Sequence, residues 1–600
     1  MGSLKHLNQY FFKYKFHLAG GLLFIILSNI FAIYPAQVTR YTIDYLHEAV
    51  WLNNQAHGAS FKAQLLSQFF EAFFLFFLII IVTTLIKGIF MFFMRQTIIV
   101  MSRHIEYELK NEIYKHYQKL PVSFYKQNRT GDLMARISED VSQVRMYIGP
   151  AVMYTLNLIV LFTLVISVMW RVNSYLTLLV LIPLPFLSLG IYLISNIINK
   201  KSTLVQQQLS SLSSVSQSSF AGIRVIKSFN REDQNIRQFL TESLTFKSLS
   251  LKLMKVDSLF APLITLLIGA SAIITIYIGG TQFINGSITL GNIAEFVIYV
   301  NMLTWPVTSI GWVSSIIQKA AVSQKRINEF LTTTSQIKNG KLILLSNQPI
   351  SIRFNKVSFT YPESGIKALE NVSFYVAPGT SIGITGKTGS GKSTIALLIA
   401  RLYDVDSGEI LINEINIKAY DIESLRNKIG YVPQDVFLFS ESIYNNIVFG
   451  LNEEEKVNQN QLDDAAQAAD ILANIKGFQQ GYHTMIGERG ITLSGGQKQR
   501  LSIARALIKK PDILILDDCL SAVDTSTENR ILNNLKATLA NKTVVYISHR
   551  ISTVQHADQL LVISNHAVAA QGTHEELLAL KGEYYEQYQS QLMEREVIRE

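Results

Sequence analysis

Cysteine is all but absent: of 600 residues only Cys519 carries a thiol. That excludes a disulfide within the chain and a cysteine-rich metal site, and Cys519 itself reads as a small packing residue. There is no self-similarity at a period of roughly 20 to 50 residues, so a solenoid is excluded. Low-complexity tracts are missing too. Charge is sparse, with 16% Asp, Glu, Lys and Arg against 48% apolar residues, an apolar excess beyond what a soluble chain of 600 residues needs. The length exceeds one hydrophobic core, so two or more domains are expected. A net charge of +9 fits nucleic acid or an anionic surface, and the placement of the basic residues decides between them. Composition changes near residue 330, from long apolar runs to short mixed segments with glycine turns.

A membrane-spanning helix needs roughly 20 mostly apolar residues. Six stretches meet that test: 18–38, 73–94, 150–170, 175–197, 259–280 and 290–312. Buried helices of a soluble core are the competing reading, and six such runs tell against it. Lys87 lies inside the second stretch, where a cation needs a cavity or a partner unless it snorkels. Glu295, near the start of the sixth, is expected at the interface. Lys and Arg set the orientation. The connection after span two carries Arg95, Arg103, Lys110, Lys115 and Lys119 among others, and the one after span four Lys200, Lys201, Arg224 and Lys227 among others. The connections after spans three and five are short and hold only Arg171. Both termini and the two long connections are therefore expected in the cytoplasm, the chain in the inner (plasma) membrane, and no nucleic-acid partner is needed. The basic, aromatic LKHLNQYFFKYKF before span one reads as an interfacial helix and not a secretory signal. Spans two to five are expected to continue as helices beyond the bilayer and to turn near SFYKQNRTGDL and FAGIRVIKSF.

The second half contains VSFYVAPGTSIGITGKTGSGKSTIALLIARLY, a strand, a glycine-rich loop and a helix. GKTGSGKS, from Gly386 to Ser393, fits the phosphate-loop pattern. Backbone N–H groups of Gly386, Thr388, Gly389, Ser390, Gly391 and Thr394 would wrap phosphates at a helix N-terminus. Lys392 supplies charge to the outer phosphates, and the Ser393 hydroxyl can ligate Mg²⁺. ILILDDCLSAVD, residues 513–524, is a buried strand running into two acids. Capped by solvated acids it would be structural. Beside a phosphate loop, Asp517 can hold Mg²⁺ and Asp518 points at the terminal phosphate, where a base or water-orienting group belongs. His549, in VVYISHR after another apolar strand, can reach the same phosphate; alone it would read as structural.

LSGGQ, residues 493–497, makes the set recognisable. The phosphate loop, YVPQD with Gln434, LSGGQ, ILILDD, SAVD and SHR stand in the order seen in ABC-transporter ATPase domains, after six spans on the same chain. The chain closely resembles an ABC exporter half-transporter along nearly its whole length. The resemblance implies an all-α polytopic membrane domain of six helices, then an α/β phosphate-loop ATPase domain with a helical subdomain. Its expected divisions are an interfacial helix at 1–17, the membrane domain at 18–330, a linker at 331–350, the nucleotide-binding domain at 351–588 and a tail at 589–600. It implies two ATPase domains closing head to tail on ATP and Mg²⁺. Tyr361 matches the aromatic that stacks on adenine, and Gln434 the residue that senses Mg²⁺ and links to the membrane domain. Ser494, Gly495, Gly496 and Gln497 match the donors to the partner-bound nucleotide. Asp524 matches a contact across the dimer, and Glu488 a contact to the cytoplasmic turns.

One residue departs from the family pattern. After the strand Asp the family usually has Glu, and here stands Asp518. Asp is one methylene shorter, which leaves its carboxylate about 1 Å short of the attacking water. General-base catalysis is typically worth about 10² to 10⁴ in rate. The implied reading is a half-transporter with a slow site of its own, paired with a different chain whose ATP its LSGGQ completes. DDCLSAVD and LTWPVTSIGWV look like one side of heterodimeric, multidrug-type exporters moving a hydrophobic or amphiphilic substrate. The alternatives are a homodimer that uses Asp518, moving lipid, and a nucleotide-gated channel or regulator. Import is a further possibility, since direction is not written in these motifs.

Overall fold

The computed structural model describes residues 2–55, 59–345, 349–451, 457–487, 490 and 492–597. Two compact units emerge: Met1–Gln118 with Gly131–Thr333, and Lys119–Thr130 with Thr334–Glu600.

The first unit is helical. Among the described residues, six segments are long and apolar enough to cross a membrane: Lys15–Gln55, Lys62–Lys119, Thr130–Val172, Ser174–Ala221, Glu232–Ile284 and Leu290–Leu331, and each contains one expected span. They outrun the bilayer because their polar extensions keep helical periodicity. The turns between them are the short helices Val122–Gln127 and Ile223–Ser228. Tyr147–Ala151 widens into a π-turn around Pro150, whose missing N–H cannot continue the ordinary ladder.

Several polar side chains inside this unit are paired. Asn29 of span one donates to Asn157 of span three at 2.9 Å. Glu295, expected at the interface, is fully buried, 3.4 Å from the Arg40 guanidinium, and it accepts from the Tyr299 hydroxyl at 2.8 Å. A buried carboxylate without such partners would be costly. Asp44 accepts from the Gly291 N–H and the Thr289 hydroxyl, each at 2.8 Å, which fastens span one to the start of span six. The N-terminal helical turns Gly2–Lys13 are held through Tyr10, which donates to Glu112 at 2.7 Å, and Lys13, which bonds Glu108.

Among its described residues the second unit has two sheets. A four-stranded antiparallel sheet orders Lys367–Val376, Ile352–Thr360, Ser407–Ile412 and Ile415–Asn416. A six-stranded sheet orders Ala567–Gly572, Gln559–Ser564, Ser381–Thr385, Thr543–Ile547, Ile513–Asp517 and Ile429–Val432, parallel except for its first pair. ILIL and TVVYI are buried on both faces, as apolar runs in a parallel sheet must be. Cys519 packs in the core beside them, 2% exposed. Residues 119–130 belong here: Val122 packs against the core, and Lys126 stands 4.9 Å above the Tyr361 ring and 3.4 Å from Glu363.

Candidate active site

The parallel sheet delivers its functional residues at one end. Strand Ser381–Thr385 stops at Gly386, and the chain loops into the helix Lys392–Ile399. Gly386 and Gly391 have φ of +147° and +102°. A Cβ there would lie 2.1 Å from the Ile563 carbonyl oxygen and 2.2 Å from that of Ala368, so only glycine lets the loop wrap this tightly. No side chain caps the helix at Gly391, which leaves its first N–H groups for an anion. Lys392 Nζ donates to the carbonyl oxygens of Gly386 and Lys387 at 2.7 and 2.8 Å. Burial lowers its pKa, opposed by Asp518 and Asp517.

A cavity of about 400 Å³ opens over the loop. Thr388, Gly389, Gly391, Lys392, Ser393 and Thr394 line it together with Tyr361, Gln434, Asp517, Asp518 and His549. Gly386 and Ser390 belong to the loop but stay behind its wall, and the Ser390 hydroxyl is buried with no hydrogen-bond partner. The Tyr361 hydroxyl pairs with the Thr394 hydroxyl at 2.9 Å, which fixes the ring at the cavity edge.

Asp517 is 2% exposed and accepts from the Ser393 hydroxyl at 2.9 Å. Burial pushes its carboxyl up to about 6, against the Ser393 hydrogen bond and with a contribution from neighbouring Asp518. Ser393, Asp517 and Gln434 offer the cavity only oxygen ligands, and the Asp517 carboxylate has no side-chain cation bonded to it among the described residues. That donor set fits a hard cation such as Mg²⁺, which takes one or two protein oxygens and the rest from phosphates and water.

Asp518 adopts φ +44°, the left-handed region that non-glycine residues seldom occupy. Its carboxylate accepts from the Ser548 hydroxyl at 3.1 Å and meets His549 Nδ1 at 2.9 and 3.0 Å, with Gln434 Nε2 at 3.4 Å. The three expected catalytic side chains thus converge on one another.

Ser494, Gly495, Gly496, Gln497 and Asp524 do not line this cavity. Ser494 caps the helix Gly495–Leu507 in a reciprocal box with Gln497. Asp524 caps the helix Thr525–Thr538, and hydrogen bonds from Ser526 and Thr527 hold its carboxyl well below the usual range. The two caps share a surface: Gln499 donates to Ser521 at 3.2 Å and accepts from the Ala522 N–H at 3.0 Å. Glu488 lies outside the described residues.

Several contributors escaped the sequence reading. His566, from the turn between two strands, lines the cavity with Ile366 and Ala368. Gln591 donates to the His549 carbonyl at 2.7 Å and accepts from the Ile551 N–H at 2.9 Å, so the C-terminal helix sets the backbone that carries His549. Gln499, between the two caps, does sit in a recognisable motif, LSGGQKQR.

Two protein families match the chain: ABC transporter transmembrane region over residues 18–307 and ABC transporter over residues 369–521. The chain is 33% identical to the probable multidrug resistance ABC transporter ATP-binding/permease protein YheI of Bacillus subtilis, over 98% of this chain and 97% of that one. It is 34% identical to the multidrug resistance-like ATP-binding protein MdlA of Escherichia coli, over 82% of this chain and 83% of that one. Among solved structures, a bacterial Atm1-family ABC exporter with ATP bound superposes with a TM-score of 0.76 at 26% identity, covering 96% of this chain and 99% of that one.

Proposed function

The chain belongs to the ABC transporters, with six spans and an ATPase on one polypeptide that couples ATP hydrolysis to export across the inner membrane, and on that premise we propose that it is the slow-site half of a heterodimer exporting hydrophobic or amphiphilic compounds. The multidrug names of its relatives in Bacillus subtilis and Escherichia coli support the substrate class. Asp518 carries the pairing. The shorter acid stands where the family has Glu, and its carboxylate is drawn toward Ser548 and His549. A water poised for the terminal phosphate would then lack its base.

In this reading ATP lies along the phosphate loop with adenine against Tyr361 and the outer phosphates on Lys392 and the loop N–H groups. Mg²⁺ would be held by Ser393, Asp517 and Gln434, where it neutralises phosphate charge. His549 holds Asp518 and turns its remaining ring nitrogen toward the nucleotide. Ser494, Gly495, Gly496, Gln497 and Asp524 face outward to complete the partner's site, where hydrolysis runs. Closure of that pair then draws the cytoplasmic turns together and switches the membrane cavity from inward to outward access.

Steady-state ATPase on the purified natural assembly separates the readings. Asp518→Asn is nearly isosteric and cannot act as a base, so it leaves most activity intact. Ser494→Arg nearly abolishes activity, because that serine serves the partner's ATP. Asp518→Glu restores reach and adds hydrolysis at this chain's own site. In a homodimer every site uses Asp518, and Asp518→Asn would then cost about 10² or more in rate. Equal losses from Asp518→Asn and Ser494→Arg overturn the heterodimer.

A further inference from the structure

We propose that His566 contacts the ribose of the bound nucleotide and selects for its hydroxyls, an inference that rests on the nucleotide lying along the phosphate loop with adenine at Tyr361. His566 lines the nucleotide cavity. It sits with Asn565 in the tight turn between the strands Gln559–Ser564 and Ala567–Gly572, where Ser564 faces Ala567. φ is +48° at Asn565 and +67° at His566, so both central residues of the turn are left-handed. Such turns favour glycine at the second of these positions, because glycine alone adopts that backbone without steric cost. A histidine there is strained, and strain of this kind is kept where the side chain has a task. The turn is also held in place: the His566 carbonyl accepts from the Glu370 N–H at 2.8 Å.

One carbonyl fixes where the ring stands. His566 Nδ1 lies 3.3 Å from the Ala368 carbonyl oxygen. The same oxygen closes over the phosphate loop, 2.2 Å from where a Cβ on Gly391 would be. Just before it in the chain, the Ile366 carbonyl accepts from the Tyr361 N–H at 2.9 Å, and Ile366 lines the cavity as well. The wall from Ile366 to Ala368 thus runs from the adenine end to the phosphate end. The sugar joins those ends and passes this wall, where His566 stands. A carbonyl oxygen can only accept, so Nδ1 carries the proton, and the uncharged ring presents Nε2 as an acceptor. Nε2 has no hydrogen-bond partner among the described residues. A ribose hydroxyl brings the hydrogen that Nε2 lacks, whereas an ionised phosphate oxygen brings none.

Competition labelling tests the contact on the purified natural assembly. Sub-saturating 2-azido-ATP is photolysed with ATP, 2′-deoxyATP or 3′-deoxyATP as competitor, and label is counted in this subunit after the chains are separated. At least one of the deoxy nucleotides competes about three- to tenfold less well than ATP, the worth of one hydrogen bond. His566→Gly gives the turn the residue its backbone favours, so the fold stands and the gap between the nucleotides closes. His566→Ala closes it too. The readout is a ratio, so a merely structural histidine would weaken every competitor alike and leave the gap open. Deoxy nucleotides that both match ATP on the unsubstituted chain, or a gap that survives His566→Gly, overturn the ribose contact. Failure of ATP itself to displace label from this subunit falls on the nucleotide site instead.

Discussion

Lys392 spends its hydrogen bonds on the carbonyl oxygens of Gly386 and Lys387. Burial makes the cation costly there, and the carbonyl dipoles only partly replace lost water. A phosphate oxygen brings a full negative charge where the carbonyls bring only a dipole, so nucleotide wins the exchange. Lys392→Ala should therefore weaken ATP binding at this chain's own site by about 10- to 100-fold. Photo-crosslinking of nucleotide to this subunit at sub-saturating ATP measures it, and undiminished labelling would refute the loop's role. Lys392, Ser393 and Asp517 were legible because short local patterns specify them. The grip of Ser548 and His549 on Asp518 was not. It depends on a left-handed φ at Asp518 and on two adjacent strand ends, neither of which the sequence spells out.

Among the elements, the C-terminal helix Glu583–Val597 is the least expected contributor. It runs past residue 588, where a domain end was expected, and Gln591 beyond that point clamps the backbone on both sides of Arg550. Tyr584 on the same helix is 2% exposed in the core. Deleting residues 583–600 should destabilise the ATPase unit by about 3 to 5 kcal/mol, as loss of a buried aromatic does, and lower its thermal midpoint. Gln591→Ala should cost only about 1 kcal/mol in stability while weakening nucleotide binding at this chain's own site, because the segment carrying His549 loses its tether. Calorimetry and nucleotide crosslinking to this subunit check both outcomes, and undiminished labelling with Gln591→Ala would show that the tether is idle. The membrane helices were legible from apolar length. The ties between Arg40 and Glu295 and between Asp44 and Gly291 were not, because they join residues far apart in the sequence.

For the whole molecule the arrangement of Lys and Arg predicts an orientation that labelling can test. Cysteines at Asn128 and Asn230, in a Cys519→Ala background, should resist impermeant thiol reagents in intact cells, and one at Asn285 should react. The reverse pattern would invert the topology. The division of the chain has a further consequence. Residues 119–130 are encoded within the membrane half yet fold with the ATPase unit, where Lys126 seats on Tyr361. An ATPase piece begun at Thr334 therefore lacks the Lys126 contact to the Tyr361 ring. A chimaera with a relative made by one crossover at that point joins a native Lys126 to a foreign ring, and residues in direct contact do not contribute additively. Two crossovers that move residues 119–130 along with the catalytic half keep the pair intact. Recombination between relatives should thus favour co-inheritance of these two distant stretches, and the smallest exchangeable module of this transporter is a discontinuous one.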